Sequence, residues 1–405
     1  MLHSNVCGTW EISQFRDDRA SLMQWFDYLY QNKIPMIGYN NLAFDYPVIH
    51  ALFKNPRSTV EDIYAVAMGI IESQNRFSSI IWESDRFAPQ VDLFKIHHFD
   101  NPAKSTSLKA LQINMRAASV VDMPVPVGTV LSEEQIRTLL IPYNVHDVTE
   151  TKRFAHYSMK AIEFRNGLTR TISGDVLNFN DTKIGAKLLE ERLGEEICYS
   201  RASGRKQPRQ SPRNRIALAD IIFPYIQFRN PEFQRVLDYM RAQVLTPEDL
   251  DNPDAAIKTK GVFTGLHAHV GGMTFHFGTG GIHGSVSAQH VRATPERIIR
   301  DVDVAGLYPA IGIVNKLAPE HLGQRFVEEY SQLPIERAKH KKGTVENASF
   351  KLAANGTYGN SNNKFSVFYD PKYTMTITIN GQLMLCMLAE WLLTVPSVSL
   401  VQINT

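Results

Sequence analysis

Three groups of polar residues in this chain have types and spacings suited to phosphate and metal chemistry. In RDVDVAGLYPAIG, at 300–312, Asp303 precedes the small residue Gly306 and then Leu307-Tyr308-Pro309. The pattern reads as a strand over 298–305 running into a turn, and a carboxylate at such a strand end is suited to holding a divalent metal. An edge-strand aspartate before a buried turn would look the same. In NASFKLAANGTYGNSNNKF, Lys351, Asn355 and Tyr358 fall at i, i+4 and i+7, one stripe of a helix. With glycines at 356 and 359 permitting close approach, that stripe suits a grip on a triphosphate and a base pair. Arg337 and Lys341, also four apart, would add two cations from a facing helix. A Lys-bearing helix taken alone is more often a solvated face.

The third group lies earlier. MIGYNNLAFDYPVI carries Asn40, Phe44 and Asp45, and IPYNVHDVTETKRF carries Tyr143 and Asp147. Tyr143 and Asp147 share a helix face, which suits a phenol orienting a water while the carboxylate holds a metal. Asp92, in QVDLFKI, is a further carboxylate and reads as structural.

These residues need elements to position them. SLMQWFDYLY at 21–30 has the period of an amphipathic helix with Leu22, Trp25, Phe26 and Leu29 on one face. IPMIGYN reads as a buried strand entering a turn, 90–96 as a strand, and 107–115 as a helix. The stretch 132–154 reads as a helix interrupted near Pro142. Strand and helix alternate over the first 155 or so residues, the pattern of an α/β domain. The segment 200–216 holds Arg201, Arg205, Lys206, Arg209, Arg213 and Arg215, two prolines and no acid. It reads as a mobile basic loop or linker. A glycine- and histidine-rich stretch at 260–290 reads as strands with a tight turn. After the strand at 298–305 come helices near 321–341 and 346–358, a strand pair near 366–380, a helix at 381–394 and a β-like end. The histidines, His97, His98, His267, His269, His276 and His283 among them, lack a metal-binding spacing.

The bulk properties fit a cytosolic protein of two to three domains. The 405 residues are 43% hydrophobic and 21% charged, enough to bury a large core, and the formal net charge of +2 selects no partner. Cys7, Cys198 and Cys386 form neither a disulfide framework nor a zinc knuckle. The apolar run 383–395 is too short for a membrane span, and no leader pattern follows Met1.

Together the motifs resemble the family B DNA polymerases, especially those of bacteriophages. Asp303 to Pro309 resembles the first palm motif, D-x-x-S-L-Y-P, and Lys351 to Gly359 resembles the fingers motif, K-x-x-x-N-S-x-Y-G. Asn40, Phe44 and Asp45 resemble the second proofreading-exonuclease motif, N-x-x-x-F-D, and Tyr143 with Asp147 its third, Y-x-x-x-D. Phe277 to Gly281 resembles the Y-x-G-G element that touches the template strand. The resemblance implies an RNase H-like exonuclease domain over 1–155 and a connecting region over 156–290. Over 291–405 it implies a palm, α+β in class, with a compact helical fingers hairpin, since only ten residues separate Lys341 from Lys351.

It implies primer-template DNA and dNTPs as partners and Mg2+ as cofactor. Asp303, Asp45 and Asp147 would be metal ligands, and Tyr143 the residue that orients water. Tyr308 would lie under the incoming sugar and exclude a 2′-hydroxyl. Arg337, Lys341, Lys351, Asn355 and Tyr358 would hold the nucleotide. Asn40, Phe44, Gly280, Gly281 and the basic residues Arg205, Lys206 and Arg209 would contact DNA. Gly306 and Gly356 replace the usual serines, a change expected to be tolerated because neither supplies a ligand.

The resemblance also sets expectations about what is missing. No Asp-x-Glu occurs between Met1 and Asn40, where the acids are Glu11, Asp17, Asp18 and Asp27. The sequence reaches Ile403-Asn404-Thr405 without the second palm aspartate or a thumb. The expectation is therefore an incomplete fragment, inactive alone. The alternatives are half of a split polymerase completed by a second polypeptide, a DNA-binding remnant, or, more weakly, a free exonuclease with an accessory domain.

Overall fold

The apolar stripe at 21–30 forms a helix as its period requires. Helix α1 (Arg19–Asn32) buries Phe26 and Leu29 and ends where Lys33 turns left-handed. It opens the first of two units into which the chain divides, Met1–Asp181 and Thr182–Thr405. This computed structural model describes residues 6–75, 79–101, 104–202, 204–247, 257–258 and 261–405. Ser203 of the basic segment and Lys260 of the glycine-rich stretch lie outside the described residues.

In the first unit, β1 (Met36–Gly38) pairs in parallel with β2 (Gln90–Asp92), placing Ile37 opposite Val91. Between them run α2 (Asp45–Lys54) and α3 (Val60–Glu72), the latter started by a capping box between Thr59 and Asp62. The strand expected over 90–96 is only half a strand: Asp92 turns the chain into α4 (Leu93–Ile96) by accepting the Phe94 N–H. Ser107 caps α5 (Leu108–Asn114).

The interruption expected near Pro142 is a π-helical turn at Ile136–Leu140. It separates the short α6 (Glu133–Gln135) from α7 (Ile141–Tyr157), with Pro142 in the first turn. A proline lacks the N–H that would continue the ladder, and the wider turn absorbs the loss. Helix α8 (Met159–Leu168) follows. Two small cores form, one around Phe26, Tyr46 and Phe87 and one around Leu93, Leu111 and Phe154.

The second unit begins with α9 (Asp181–Leu193, its first residue at the boundary) and α10 (Glu195–Cys198). The basic segment that follows is not a free tether. Strands β3 (Tyr199–Ser200) and β4 (Gln207–Pro208) pair as a hairpin, and the Ser211 N–H donates to the Tyr369 carbonyl. Next come β5 (Ile216–Ala217), α11 (Pro231–Arg241) and β6 (Val244–Leu245). The glycine-rich stretch folds as expected into an antiparallel meander of β7 (His267–Val270), β8 (Met273–Phe277) and β9 (Ile282–Ser285). Strand β10 (Gln402–Asn404) adds to β9 with Ile403 opposite Gly284. The sheet buries Ala268, Phe275 and Ile282 against α11 and α15, while its histidines stay exposed.

Two expectations fail here. Residues 298–305 form no strand: Ile298, Ile299, Val302 and Asp303 are exposed coil ahead of α12 (Leu307–Val314). Alternating apolar residues mark a strand only where a partner strand and a core are supplied. The strand pair expected near 366–380 is instead the start of α15 (Pro371–Leu392), a 22-residue helix capped by Asp370. The Thr374, Thr376 and Thr378 hydroxyls donate to the carbonyls four residues back, at 3.3, 2.7 and 2.9 Å. That satisfies them inside a buried helix. Between α12 and α15, α13 (Gly323–Ala338) and α14 (Val345–Asn360) form the expected hairpin.

Candidate functional site

In the second unit the segments 307–309 and 351–359 meet at one pair of rings. Tyr308, in the first turn of α12, and Tyr358, on α14, have centroids 4.6 Å apart, tilted by 32°. Burial pushes both phenols up from their ordinary range. The Tyr358 hydroxyl shares a 2.6 Å hydrogen bond with Thr378 of α15. The Tyr308 hydroxyl lies 3.4 Å from the Gly280 carbonyl. The turn 278–281 therefore packs beside the ring pair, closed by the Gly278 N–H on the Gly281 carbonyl at 2.9 Å. Gln382 donates to the Gly278 carbonyl at 2.8 Å. Gly281 packs tightly here: a Cβ on it would fall 2.0 Å from the Thr405 hydroxyl, which would have to turn aside. An open groove of about 400 Å³ runs along the turn, lined in part by Phe263, His276, Thr279 and Gly280.

From Tyr358 the stripe of α14 runs outward through Asn355 to Lys351, both exposed. Seven residues of helix span about 10 Å, roughly the reach of a triphosphate. Arg337 lies in the last turn of the packed α13, its guanidinium 3.5 Å from Asn347 Oδ1. Lys341 departs from the expected helical spacing: α13 ends at Ala338, and Lys341 is exposed in the connecting loop. Gly356 faces a neighbouring helix, where a Cβ would fall 2.6 Å from the Thr182 carbonyl of α9. Asp303 is exposed in the coil five residues ahead of Tyr308.

In the basic hairpin only part of the expected charge faces outward unengaged by protein. Arg201 and Lys206 both pair with Glu195, and the Lys206 ammonium lies 4.0 Å over the Tyr199 ring. Arg209 donates to the Tyr199 carbonyl at 3.0 Å, and Arg213 pairs with Glu320 and Asp370. Arg205, at the hairpin turn, and Arg215 are exposed.

In the first unit, Asn40 follows β1 in a left-handed conformation, φ 59°. Phe44 sits at the position before α2 without a side-chain cap, and Asp45 begins the helix. Asp45 keeps exposed surface, yet the protein packed around its carboxyl raises its pKa by desolvation. Helix α7, which packs against β1, carries Tyr143 and Asp147. The Tyr143 phenol is pushed up first by burial and then by hydrogen bonding to Asp147. The buried Gln112 amide reaches Asp147 at 3.5 Å and His146 at 3.4 Å, contacts that no sequence motif marked.

The Mg2+ implied by the motifs needs a cluster of carboxylates. Among the described residues no three His, Cys, Asp or Glu side chains come together to hold a metal ion. Neither Asp303 in the second unit nor Asp45 and Asp147 in the first belongs to such a group. Likewise, no described helix is long and apolar enough to cross a membrane.

Neither a protein-family model nor a curated protein matches the chain. Among solved structures, the family B DNA polymerase from the hyperthermophilic archaeon Pyrobaculum calidifontis resembles it distantly, with a TM-score of 0.42 and 16% identity over 98% of this chain. The chain spans 47% of the length of that polymerase.

Proposed function

We propose that this chain is part of a template-directed DNA polymerase of the family B type, carrying an exonuclease-like unit ahead of palm- and fingers-like elements. One observation carries the reading: the Tyr308–Tyr358 contact joins two motifs that lie far apart in sequence. It also sets the Lys351–Asn355 stripe and the glycine turn around one spot. In this reading a dNTP lays its sugar against Tyr308, and Lys351 with Arg337 and Lys341 holds its phosphates. The primer-template passes the turn at Gly280 and Gly281. Ammonium and guanidinium groups suit phosphate oxygens, and glycine backbone N–H groups can approach a strand closely. A second polypeptide supplying further palm residues belongs to the same proposal.

A second reading, nucleotide and DNA binding without catalysis, is favoured by the exposed coil around Asp303. Two measurements separate the readings. Titration with a fluorescent primer-template across salt, with and without dNTP, should give salt-dependent binding and nucleotide retention that falls with Lys351→Ala or Asn355→Ala. Retention indifferent to both substitutions sinks both readings. Primer extension abolished by Asp303→Ala selects the polymerase, and binding without extension selects the binder.

A further inference from the structure

The loop that follows β1 carries Asn40, Phe44 and Asp45, and its shape is fixed from beneath by one fully buried carboxylate. Asp92 Oδ1 accepts the Asn40 N–H at 2.8 Å and the Phe94 N–H at 3.0 Å, and Oδ2 accepts the Leu42 N–H at 3.2 Å. Asp92's own N–H donates to Asn178 Oδ1 at 2.7 Å. Asn178 in turn donates to the Gln90 carbonyl at 2.8 Å and to Asp175 at 2.7 Å. Beside it, Asn41 donates to Gln90 Oε1 at 2.9 Å. Asn40 holds a left-handed backbone, which asparagine reaches more readily than most side chains. The Asp92 carboxylate holds the bend in place, because its two oxygens tie down Asn40 on one side and Leu42 on the other.

We propose that Asp92 is a positioning residue for strand binding: it sets the bend that presents Asn40 and Phe44 to the 3′-terminal nucleotides of a single strand. The proposal rests on reading Asn40 and Phe44 as DNA contacts and assigns the residue that makes those contacts possible. A carboxamide of the same size keeps one acceptor oxygen and turns the other position into a donor, so it cannot hold both N–H groups. The ionisable groups acting around the carboxylate are Lys95 of α4 and the Tyr39 phenol, with Asp175 reached through Asn178.

The test uses the full chain, a fluorescein-labelled oligothymidylate, and amide exchange read at Asn40 and Leu42. Asn40→Ala and Phe44→Ala are expected to weaken oligothymidylate binding. Asp92→Asn is expected to weaken it about tenfold, the scale of losing hydrogen bonds to a charged acceptor, and to deprotect both amides. If Asn40→Ala and Phe44→Ala leave binding unchanged, the reading of the loop as a DNA contact fails. If they weaken binding while Asp92→Asn leaves either binding or protection unchanged, the positioning role alone is overturned.

Discussion

The Tyr308 and Tyr358 rings pack against each other at 4.6 Å, tilted by 32°, although they lie fifty positions apart, and the contact ties the first turn of α12 to the last turns of α14. An aromatic pair of this kind contributes about 0.5–1.5 kcal/mol beyond its buried area. Under the polymerase reading, the Tyr308 ring is the surface against which a sugar packs. Tyr308→Ala should therefore narrow the difference in affinity between dATP and ATP. Tyr358→Phe keeps the ring contact, loses only the bond to Thr378, and should leave that difference nearly intact. Competition titrations with the two nucleotides read both outcomes, and equal selectivity in Tyr308→Ala counts against the sugar contact.

Gly356 stands where the resembled motif has serine, and the packing of α14 on α9 explains why. A Cβ there would lie 2.6 Å from the Thr182 carbonyl, and one on Gly185 would lie 1.8 Å from the Leu352 carbonyl. The two helices cross backbone to backbone, which only glycine allows at these points. The change from serine is required by this crossing, a stronger condition than the tolerance expected from the sequence. Gly356→Ser should cost about 1–3 kcal/mol, the usual penalty of overpacking, and Gly185→Ala at least as much. Urea denaturation of the two variants measures this. A Gly356→Ser variant as stable as the parent means that the helices separate freely.

Most helices were legible because their apolar period is set by what they bury: Phe26 and Leu29 of α1 repeat with the helical turn. The meander over 267–285 was legible for the complementary reason, as alternate residues point to core and solvent. Residues 371–380 misled, while 381–392 read as the helix they are, because the first half of α15 is buried on nearly every side and no polar face remains to show its period. Its Thr-Ile alternation then reads as β, and Thr378, Gly381 and Gln382, which line the Tyr308 and Tyr358 surroundings, went unmarked. The candidate site was legible as motifs. Its tertiary partners, such as Gln112 beside Asp147, come from other elements at no fixed spacing, so no local pattern records them.

Within the basic segment, Arg213 and Arg205 should behave oppositely. Arg213 bonds Asp370 through Nε at 3.1 Å and Nη2 at 2.8 Å, and Asp370, nearly fully buried, also caps α15. Removing one partner of such a pair strands a buried charge, so Arg213→Ala should lose about 3 kcal/mol or more of stability. Arg205 is exposed at the hairpin turn. Arg205→Ala should leave stability within about 0.5 kcal/mol and, if the hairpin meets DNA, flatten the salt dependence of binding. Denaturation and salt titration of both variants decide. A stable Arg213→Ala chain would show that Asp370 finds another partner.

Asp92 makes the stability of the first unit depend on pH in an unusual direction. Burial raises its pKa to about 6 from the ordinary 3.8, outweighing the backbone N–H groups that favour the charged form. Between those values the folded chain holds a proton that the unfolded chain has released. The Asp92 contribution is therefore fully present below about pH 4 and is lost as pH rises through about 6. Other carboxylates titrate in the same range, so the quantity to measure is the stability of the parent minus that of Asp92→Asn across pH 3.5–7.5. That difference should fall between about pH 4 and pH 6 and level off above. A flat difference would mean that Asp92 ionises in the fold as it does in water, and a rising one that its three N–H donors outweigh its burial.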